Sequence, residues 1–146
     1  MKKFTSERQK IGEMGERIAE MFLVKHGFFV LERNFTCKAG EIDIICIRGK
    51  TIHFIEVKAI RVSKVFTEGM VTRETGEFHK KTMYNPFQNV SREKVLKCLR
   101  TIRFWLSSHR SLVSRGTVWQ FDGISVLLSR ETGRAKVEYL KNLHID

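Results

Sequence analysis

Apolar residues recur at helical spacing near the start of the chain. This pattern predicts an amphipathic helix from about Glu7 to His26. Ser6 and Gln9 have the spacing of a capping box at its beginning, and Gly27 is a typical residue at a helix end. The apolar positions that should face a core are Ile11, Met14, Ile18 and Phe22.

A second apolar stripe predicts a helix in the second half of the chain, ending near Ser107. Asn85 is a favourable N-cap, Pro86 suits the first helical position, and Gln88 completes a capping box. The helix should therefore begin at Pro86. Its apolar stripe consists of Val95, Leu99, Ile102 and Leu106.

Runs rich in β-branched and aromatic residues predict five strands. Gly49 and Lys50 fit a two-residue turn of type II′ between the second and third of them. The order α-β-β-β-α-β-β predicts one α/β domain over residues 1–146, with a mixed central sheet flanked by helices. Residues 60–87 show no sustained period and should form a long loop. The predicted strands are 28–35, 41–48, 51–59, 118–128 and 136–140.

Composition excludes several classes of protein. Of 146 residues 42% are hydrophobic and one is Pro, which excludes a disordered or fibrous chain. No apolar run approaches the ~18 residues of a membrane span. Cys37, Cys46 and Cys98 are too few and too far apart for a disulfide framework, so we expect a cytoplasmic protein with reduced thiols. The net charge of +11 favours an anionic partner, most simply nucleic acid.

The predicted hairpin brings acidic residues together. With a two-residue turn, Asp43 lies opposite Glu56 and Glu41 opposite Lys58, with all four side chains on one face. The neighbouring residues are apolar on both faces of the strands, so these carboxylates should repel each other and lose hydration. Mg²⁺ (or Mn²⁺) would compensate, because hard cations prefer carboxylate oxygens. The ion would activate a water or stabilise charge on a phosphoryl oxygen, and Lys58 would orient the attacking water or neutralise the developing charge. A structural ion-pair cluster of the acids with Lys58 and arginines is the alternative.

Five short motifs are specific in combination. They are Gly12-x-x-Gly15-Glu16-x-x-Ala19, Arg33-Asn34-Phe35, Gly40-Glu41-Ile42-Asp43, Phe54-Ile55-Glu56-Val57-Lys58 and Gln120-Phe121-Asp122-Gly123-Ile124-Ser125-Val126. Together they resemble the YraN-like family of the PD-(D/E)XK nuclease superfamily, to which archaeal Holliday-junction resolvases also belong. The match is close over about residues 11–59 and looser over 88–146. Residues 60–87 are expanded relative to the family, and Gln120 stands where the family often has Arg.

The resemblance implies a restriction-endonuclease-like α-β-β-β-α-β core and assigns roles within it. Asp43 and Glu56 would bind the metal, with the Val57 carbonyl as a third ligand, and Lys58 would be the catalytic lysine. Glu16 matches the helix glutamate that completes the site in resolvase-like members; a solvated surface acid is the alternative. Lys94 matches a family position near the site; a solvated helix face is the alternative.

The positive charge is concentrated after the acidic hairpin. Residues 60–110 contain 11 Lys and Arg against 4 Asp and Glu, whereas residues 1–59 contain 11 against 8. We expect a phosphate-binding rim beside the metal site, with an ordinary solvated helix face as the alternative. The candidate nucleic-acid-binding residues are Lys80, Lys81, Arg92, Lys94, Lys97 and Arg100.

These observations predict a Mg²⁺-dependent endonuclease-like protein that hydrolyses phosphodiester bonds in structured or branched DNA. The main alternative is a non-catalytic nucleic-acid-binding module that retains the nuclease fold, and a third is a structural or adaptor protein. The sequence leaves open whether the substrate is DNA or RNA. It also leaves open a homodimer, which is expected only by analogy with resolvase-like relatives.

Overall fold

Two helices lie on opposite faces of a five-stranded sheet. The computed structural model describes residues 6–62, 87, 90–113 and 116–143. Within these ranges, no helix is long and apolar enough to cross a membrane. The elements, in chain order, are α1 (Glu7–Lys25), β1 (Phe29–Cys37), β2 (Gly40–Arg48), β3 (Thr51–Val62), α2 (Arg92–Ser108), a 3₁₀ turn (Arg110–Leu112), β4 (Val118–Ser129) and β5 (Ala135–Leu140).

The sheet is mixed, and its strands follow one another in the order β1-β2-β3-β4-β5. The β3–β4 pair is parallel, whereas the β1–β2, β2–β3 and β4–β5 pairs are antiparallel. The parallel pair requires a crossover connection, and α2 supplies it between β3 and β4. The predicted α/β core with a mixed central sheet flanked by helices is confirmed.

The ends of α1 agree with the sequence prediction. Ser6 Oγ accepts from the Gln9 N–H at 3.1 Å, and the Gln9 side chain accepts from the Ser6 N–H at 3.0 Å, which completes the capping box. At the other end Gly27 has a φ of +87°, and the Phe28 N–H donates to the Leu23 carbonyl at 3.0 Å. Gly27 therefore ends the helix and turns the chain into β1.

The predicted hairpin register is confirmed. Arg48 pairs with Thr51, and the antiparallel pairing continues as far as Ile44 and Ile55. Gly49 has a φ of +66°, which the first central position of a type II′ turn requires. Because side chains alternate along a strand, this turn determines which residues of β2 and β3 share a face.

Helix α1 packs through small residues. Its fully buried positions are Gly15, Ala19 and Leu23, which pack against the sheet together with the partly buried Ile18. Met14, which the sequence pattern placed in the core-facing stripe, is 42% exposed, so that assignment is wrong. Because Gly15 has no Cβ, the helix approaches β3 closely, and its buried residues are Gly15, Ala19 and Leu23 rather than Met14.

The Gly15 contact gives a stability prediction. A Cβ at Gly15 would overlap the Cβ of Ala59 on β3, whereas a Cβ at Gly12 has nothing within 4 Å. We expect Gly15→Ala to lower the free energy of unfolding by about 2 kcal/mol, because neither backbone can yield without repacking. The matched Gly12→Ala variant should raise it by up to ~1 kcal/mol through helix propensity. Urea titration measures both, and equal effects would contradict the close approach.

The end of β3 and the beginning of α2 differ from the sequence prediction. Strand β3 continues to Val62 rather than ending at Ala59, because residues 60–62 pair with β4; residues 60–62 are therefore strand and not loop. Helix α2 begins at Arg92, with the Ser91 side chain accepting from the Lys94 N–H at 3.1 Å, so a start at Pro86 is wrong. Asn85, Pro86 and Gln88, like the remainder of the predicted loop at residues 63–86, lie outside the described residues.

Helix α2 covers the second apolar core, on the opposite face of the sheet from α1. Its buried face includes Val95 and Ile102, as the stripe predicted, but Leu99 and Leu106 are only partly buried. Three further residues of the helix, which the predicted stripe did not include, are buried against the sheet. These additional buried residues of α2 are Cys98, Thr101 and Trp105.

Candidate active site

Asp43 and Glu56 form the centre of an acidic cluster on the β2–β3 hairpin. They are the next residues of β2 and β3 beyond the Ile44–Ile55 pair. One oxygen of the Asp43 carboxylate accepts a hydrogen bond of 2.8 Å from the Val57 N–H. This bond ties Asp43 to β3 directly beside Glu56, which is 8% exposed.

The electrostatic environment of Asp43 is unfavourable to its charge. Burial and the nearby Glu56 carboxylate raise its pKa to about 7, against the lowering effect of the Val57 N–H. The charges of Glu16 and Glu41 raise it further. Asp43 therefore retains its proton to a higher pH than an exposed Asp does.

Glu16 reaches this cluster from α1. Burial raises its pKa, and the charges of Glu41 and Glu56 raise it further, while a hydrogen bond with the Asn34 side chain lowers it. Asn34 lies in β1 with a φ of +54°, a left-handed conformation that Asn tolerates better than most residues. The helix glutamate is partly buried, and the charges of two hairpin carboxylates act on it.

Lys94 of α2 lies over the other side of the cluster. Its ammonium is 3.0 Å from Glu56 Oε2. Burial alone would lower the pKa of Lys94, but the charge of Glu56 and this hydrogen bond raise it above its ordinary value. The structure therefore brings Lys94 to the candidate site, in agreement with the first of the two alternatives that the sequence left open.

Several charged groups of the site affect the pKa of the buried Cys98 thiol. Burial raises the pKa of this thiol to about 11, with a further increase from Glu56. Lys94 and Lys58 both lower it, and Asp43 raises it. The charges of both carboxylates and both lysines therefore act on one buried sulfur atom of α2.

The other predicted residues are distributed along α2 or lie outside the described chain. Arg92, Lys97 and Arg100 are on α2, the same helix that carries Lys94, and their side chains reach solvent. Lys80 and Lys81 lie outside the described residues. The sequence interpretation assigned no role to Asn34 or Cys98. An isolated Asn within a strand-like run could have indicated a residue with positive φ at position 34. No feature of the neighbouring sequence indicates that Cys98 lies near the site.

A divalent cation suits this donor set. The expected ligands are two carboxylates and the Val57 carbonyl, all hard oxygen donors, and the repulsion that raises the pKa of Asp43 is what a cation would relieve. In the part of the chain that the structure describes, no group of three or more His, Cys, Asp or Glu side chains is placed to hold a metal. The expected set contains only two such side chains, fewer than this number, so the metal site stays a prediction from the chemistry of its oxygen donors.

A second polar cluster crosses β3, β4 and β5, and the sequence interpretation did not foresee it. The Asp122 carboxylate is fully buried and accepts from His53 Nδ1 at 2.7 Å, from the Asn142 N–H at 2.8 Å and from the Gln120 amide at 2.9 Å. The Tyr139 hydroxyl also donates to it. Asp122 pairs with Ile55, next to Glu56, so this cluster supports the strand that carries the site.

The fold and the acidic hairpin define an α/β protein with a restriction-endonuclease-like core. A profile of the Uncharacterised protein family UPF0102 matches residues 15–126. The chain belongs to this family, which is the YraN-like family that the motifs resemble.

Curated relatives match the chain over nearly its whole length. A UPF0102 protein of Moorella thermoacetica is 34% identical over 137 residues, which is 94% of this chain and 97% of the relative. A UPF0102 protein of Geobacter metallireducens is 33% identical over 135 residues, or 92% and 91% of the two chains. One of Clostridium acetobutylicum is 32% identical over 134 residues, or 92% and 93%.

Proposed function

We propose that this protein is a metal-dependent endonuclease that hydrolyses phosphodiester bonds in structured or branched DNA. The observation that carries the proposal is the buried Asp43–Glu56 pair, in which burial and mutual repulsion raise the pKa of Asp43 to about 7. Such a pair lowers the stability of the fold. Binding of Mg²⁺ or Mn²⁺ by the two carboxylates would explain why the protein has them at this position.

In this proposal each residue of the site has a separate role. Asp43, Glu56 and the Val57 carbonyl would hold the cation, which supplies Lewis-acid stabilisation of charge on the phosphoryl oxygens. Lys58 orients the attacking water. The oxygen of that water bonds to phosphorus as the water gives up a proton to the solvent, the bond from phosphorus to one sugar oxygen breaks, and the leaving oxygen takes up a proton from the solvent. Glu16 completes the acidic rim from the α1 side.

The exposed cations of α2 supply the phosphate contacts in this proposal. Arg92, Lys97 and Arg100 lie on the helix whose Lys94 already contacts Glu56. Lys80 and Lys81, which lie outside the described residues, are candidate phosphate contacts on the basis of the sequence. The three cysteines are free thiols, which is consistent with a cytoplasmic protein. A homodimer would present two such sites to a branched substrate.

A second candidate function is a non-catalytic nucleic-acid-binding module with the same fold. The Lys94–Glu56 ion pair favours it, because the ammonium 3.0 Å from Glu56 already neutralises one carboxylate. In this case the acidic cluster would be a structural ion-pair network, and DNA binding would not depend on a divalent cation.

The two candidates are separated by a cleavage assay. The protein is incubated with linear, nicked, flapped and four-way DNA in Mg²⁺, in Mn²⁺ and in chelator. We expect metal-dependent products, most abundant on the branched substrates, and a loss of at least ~100-fold in rate for Lys58→Ala, with DNA affinity largely retained. Lys50→Ala, at the hairpin turn, is the matched control and should cleave normally. Unchanged cleavage in Lys58→Ala, or no products with any metal, would reject the endonuclease.

A further inference from the structure

A groove lies between α2 and the turn that joins β1 to β2. It has a volume of about 540 Å³, within the range of small-ligand sites. Neither the acidic cluster nor the sequence motifs account for it. Its lining residues are Cys37, Lys38, Ala39, Arg100, Arg103 and Phe104.

An exposed aromatic ring forms part of the groove. Phe104 is 52% exposed, although it lies in an otherwise well-packed amphipathic helix. Its ring stacks on Phe35 of β1, with centroids 6.3 Å apart and an interplanar angle of 24°. Phe35 therefore supports the ring from the protein side and leaves part of its surface available to a planar ligand.

Three cations surround this ring. Lys38 comes from the β1–β2 turn, and Arg100 and Arg103 come from α2. Across the described ranges, none of the three forms an ion pair with a carboxylate. An apolar floor with an aromatic ring and a cationic rim complements a planar base attached to phosphates.

The groove is adjacent to the acidic cluster. Gly40 ends the β1–β2 turn, and a Cβ there would be 3.1 Å from Thr101 Oγ1, so the turn lies directly on α2. Glu41 and Asp43 follow it along β2. Along α2, Phe104 is ten residues from Lys94, about 15 Å at 1.5 Å per residue.

We propose that this groove binds an unpaired nucleotide of a DNA strand that approaches the acidic cluster. The base stacks on Phe104, and its flanking phosphates contact Lys38, Arg100 and Arg103. The nucleotide must be unpaired, because the faces of duplex bases are already stacked on one another. The proposal rests on the proposed function and names the substrate feature that this site selects, which is a single-stranded segment beside a junction or flap.

The test measures binding without catalysis. Fluorescence anisotropy in the presence of chelator measures the affinity of the protein for a labelled twelve-nucleotide oligothymidine and for a labelled twelve-base-pair duplex. We expect Phe104→Ala to weaken oligothymidine binding about 10-fold and duplex binding less than 2-fold. Phe104→Tyr retains an aromatic ring and should bind within 2-fold of the wild type, whereas Phe104→Leu should behave like the Ala variant. Phe29→Ala, which removes a 68% exposed ring at the other end of β1, is the matched control.

Three results would overturn the proposal. In the first, Phe104→Ala loses affinity for oligothymidine and for duplex by the same factor. In the second, Phe104→Ala binds oligothymidine as tightly as the wild type. In the third, light scattering shows that Phe104→Ala changes the oligomeric state while its affinity for DNA is unchanged. The last would assign the groove to a contact between copies of the chain. Because the assay contains chelator, its outcome is independent of cleavage: an inactive protein that passes it retains the nucleotide site, and an active one that fails it loses only the groove.

Discussion

Replacing Asp43 by Asn should abolish metal-dependent cleavage and at the same time stabilise the metal-free protein. The pKa of Asp43 is raised to about 7 by burial and by Glu56, far above the ~4 of an unfolded chain. A group with a raised folded-state pKa contributes stability that is fully present below the unfolded pKa and is lost as pH rises through the folded pKa. Ionised Asp43 therefore destabilises the protein above pH 7.

The Asp43→Asn substitution would keep the size of the side chain and its oxygen acceptor for the Val57 N–H. We expect this variant to be more stable than the wild type by on the order of 2 kcal/mol at pH 8 in chelator, equivalent to about 4–8 °C in Tm. The difference should shrink toward pH 4, where the wild-type carboxyl is protonated. Cleavage should fall by at least ~1000-fold, because the cation loses one of its two carboxylate ligands.

Differential scanning calorimetry from pH 4 to pH 8 measures the stability effect. Adding Mn²⁺ provides a second readout, since a ligand that binds only the folded state raises Tm. Mn²⁺ should raise the Tm of the wild type and leave that of Asp43→Asn unchanged. A variant that is less stable than the wild type at pH 8 would show that Asp43 is held by favourable contacts and not strained by its neighbours. Asp122→Asn provides the opposite control.

Removing the Asp122 carboxylate should destabilise the sheet strongly. Burial alone would raise the pKa of Asp122, but hydrogen bonds from His53, Tyr139, the Asn142 N–H and Gln120 lower it below its ordinary value. In Asp122→Ala these donors would lose a shared acceptor inside the protein. We expect a loss of about 3 kcal/mol at pH 7, or about 6–12 °C in Tm.

The pH dependence has the opposite sign from that of Asp43. A depressed folded-state pKa gives stability that is present above the unfolded pKa and is lost as pH falls through the folded pKa. The gap in stability between the wild type and Asp122→Ala should therefore be complete at pH 7 and decrease below about pH 4. Urea titrations at pH 7, 5 and 3 measure it, with Asp122→Asn expected between the two. A gap that does not change with pH would mean that packing, and not the charge, accounts for the loss.

The local rules of the sequence were sufficient for the centre of the site. The two-residue turn at Gly49 and the alternation of side chains predicted that Asp43 and Glu56 share a face, and the observed register agrees. The capping box and Gly27 likewise predicted the bounds of α1 to within a residue. These predictions succeeded because each depends on neighbours within a few residues.

Other features depend on residues that are distant in the chain. Lys94 meets Glu56 only because α2 crosses the sheet at that point. The Asp122 cluster joins residues of β3, β4 and β5, and Asp122 and His53 are 69 positions apart in the sequence. No local period predicts such a contact, because its geometry is determined by how the strands pair.

By itself, the sequence determined the helix cap at Ser6, the hairpin register and the pairing of the two carboxylates, since backbone sterics and side-chain alternation act over a few residues. Only the tertiary structure decided the length of β3, the exposure of Met14, the approach of Lys94 and the groove at Phe104. Each of these results from packing between elements that are far apart in the chain, where the burial of a whole surface outweighs local propensity.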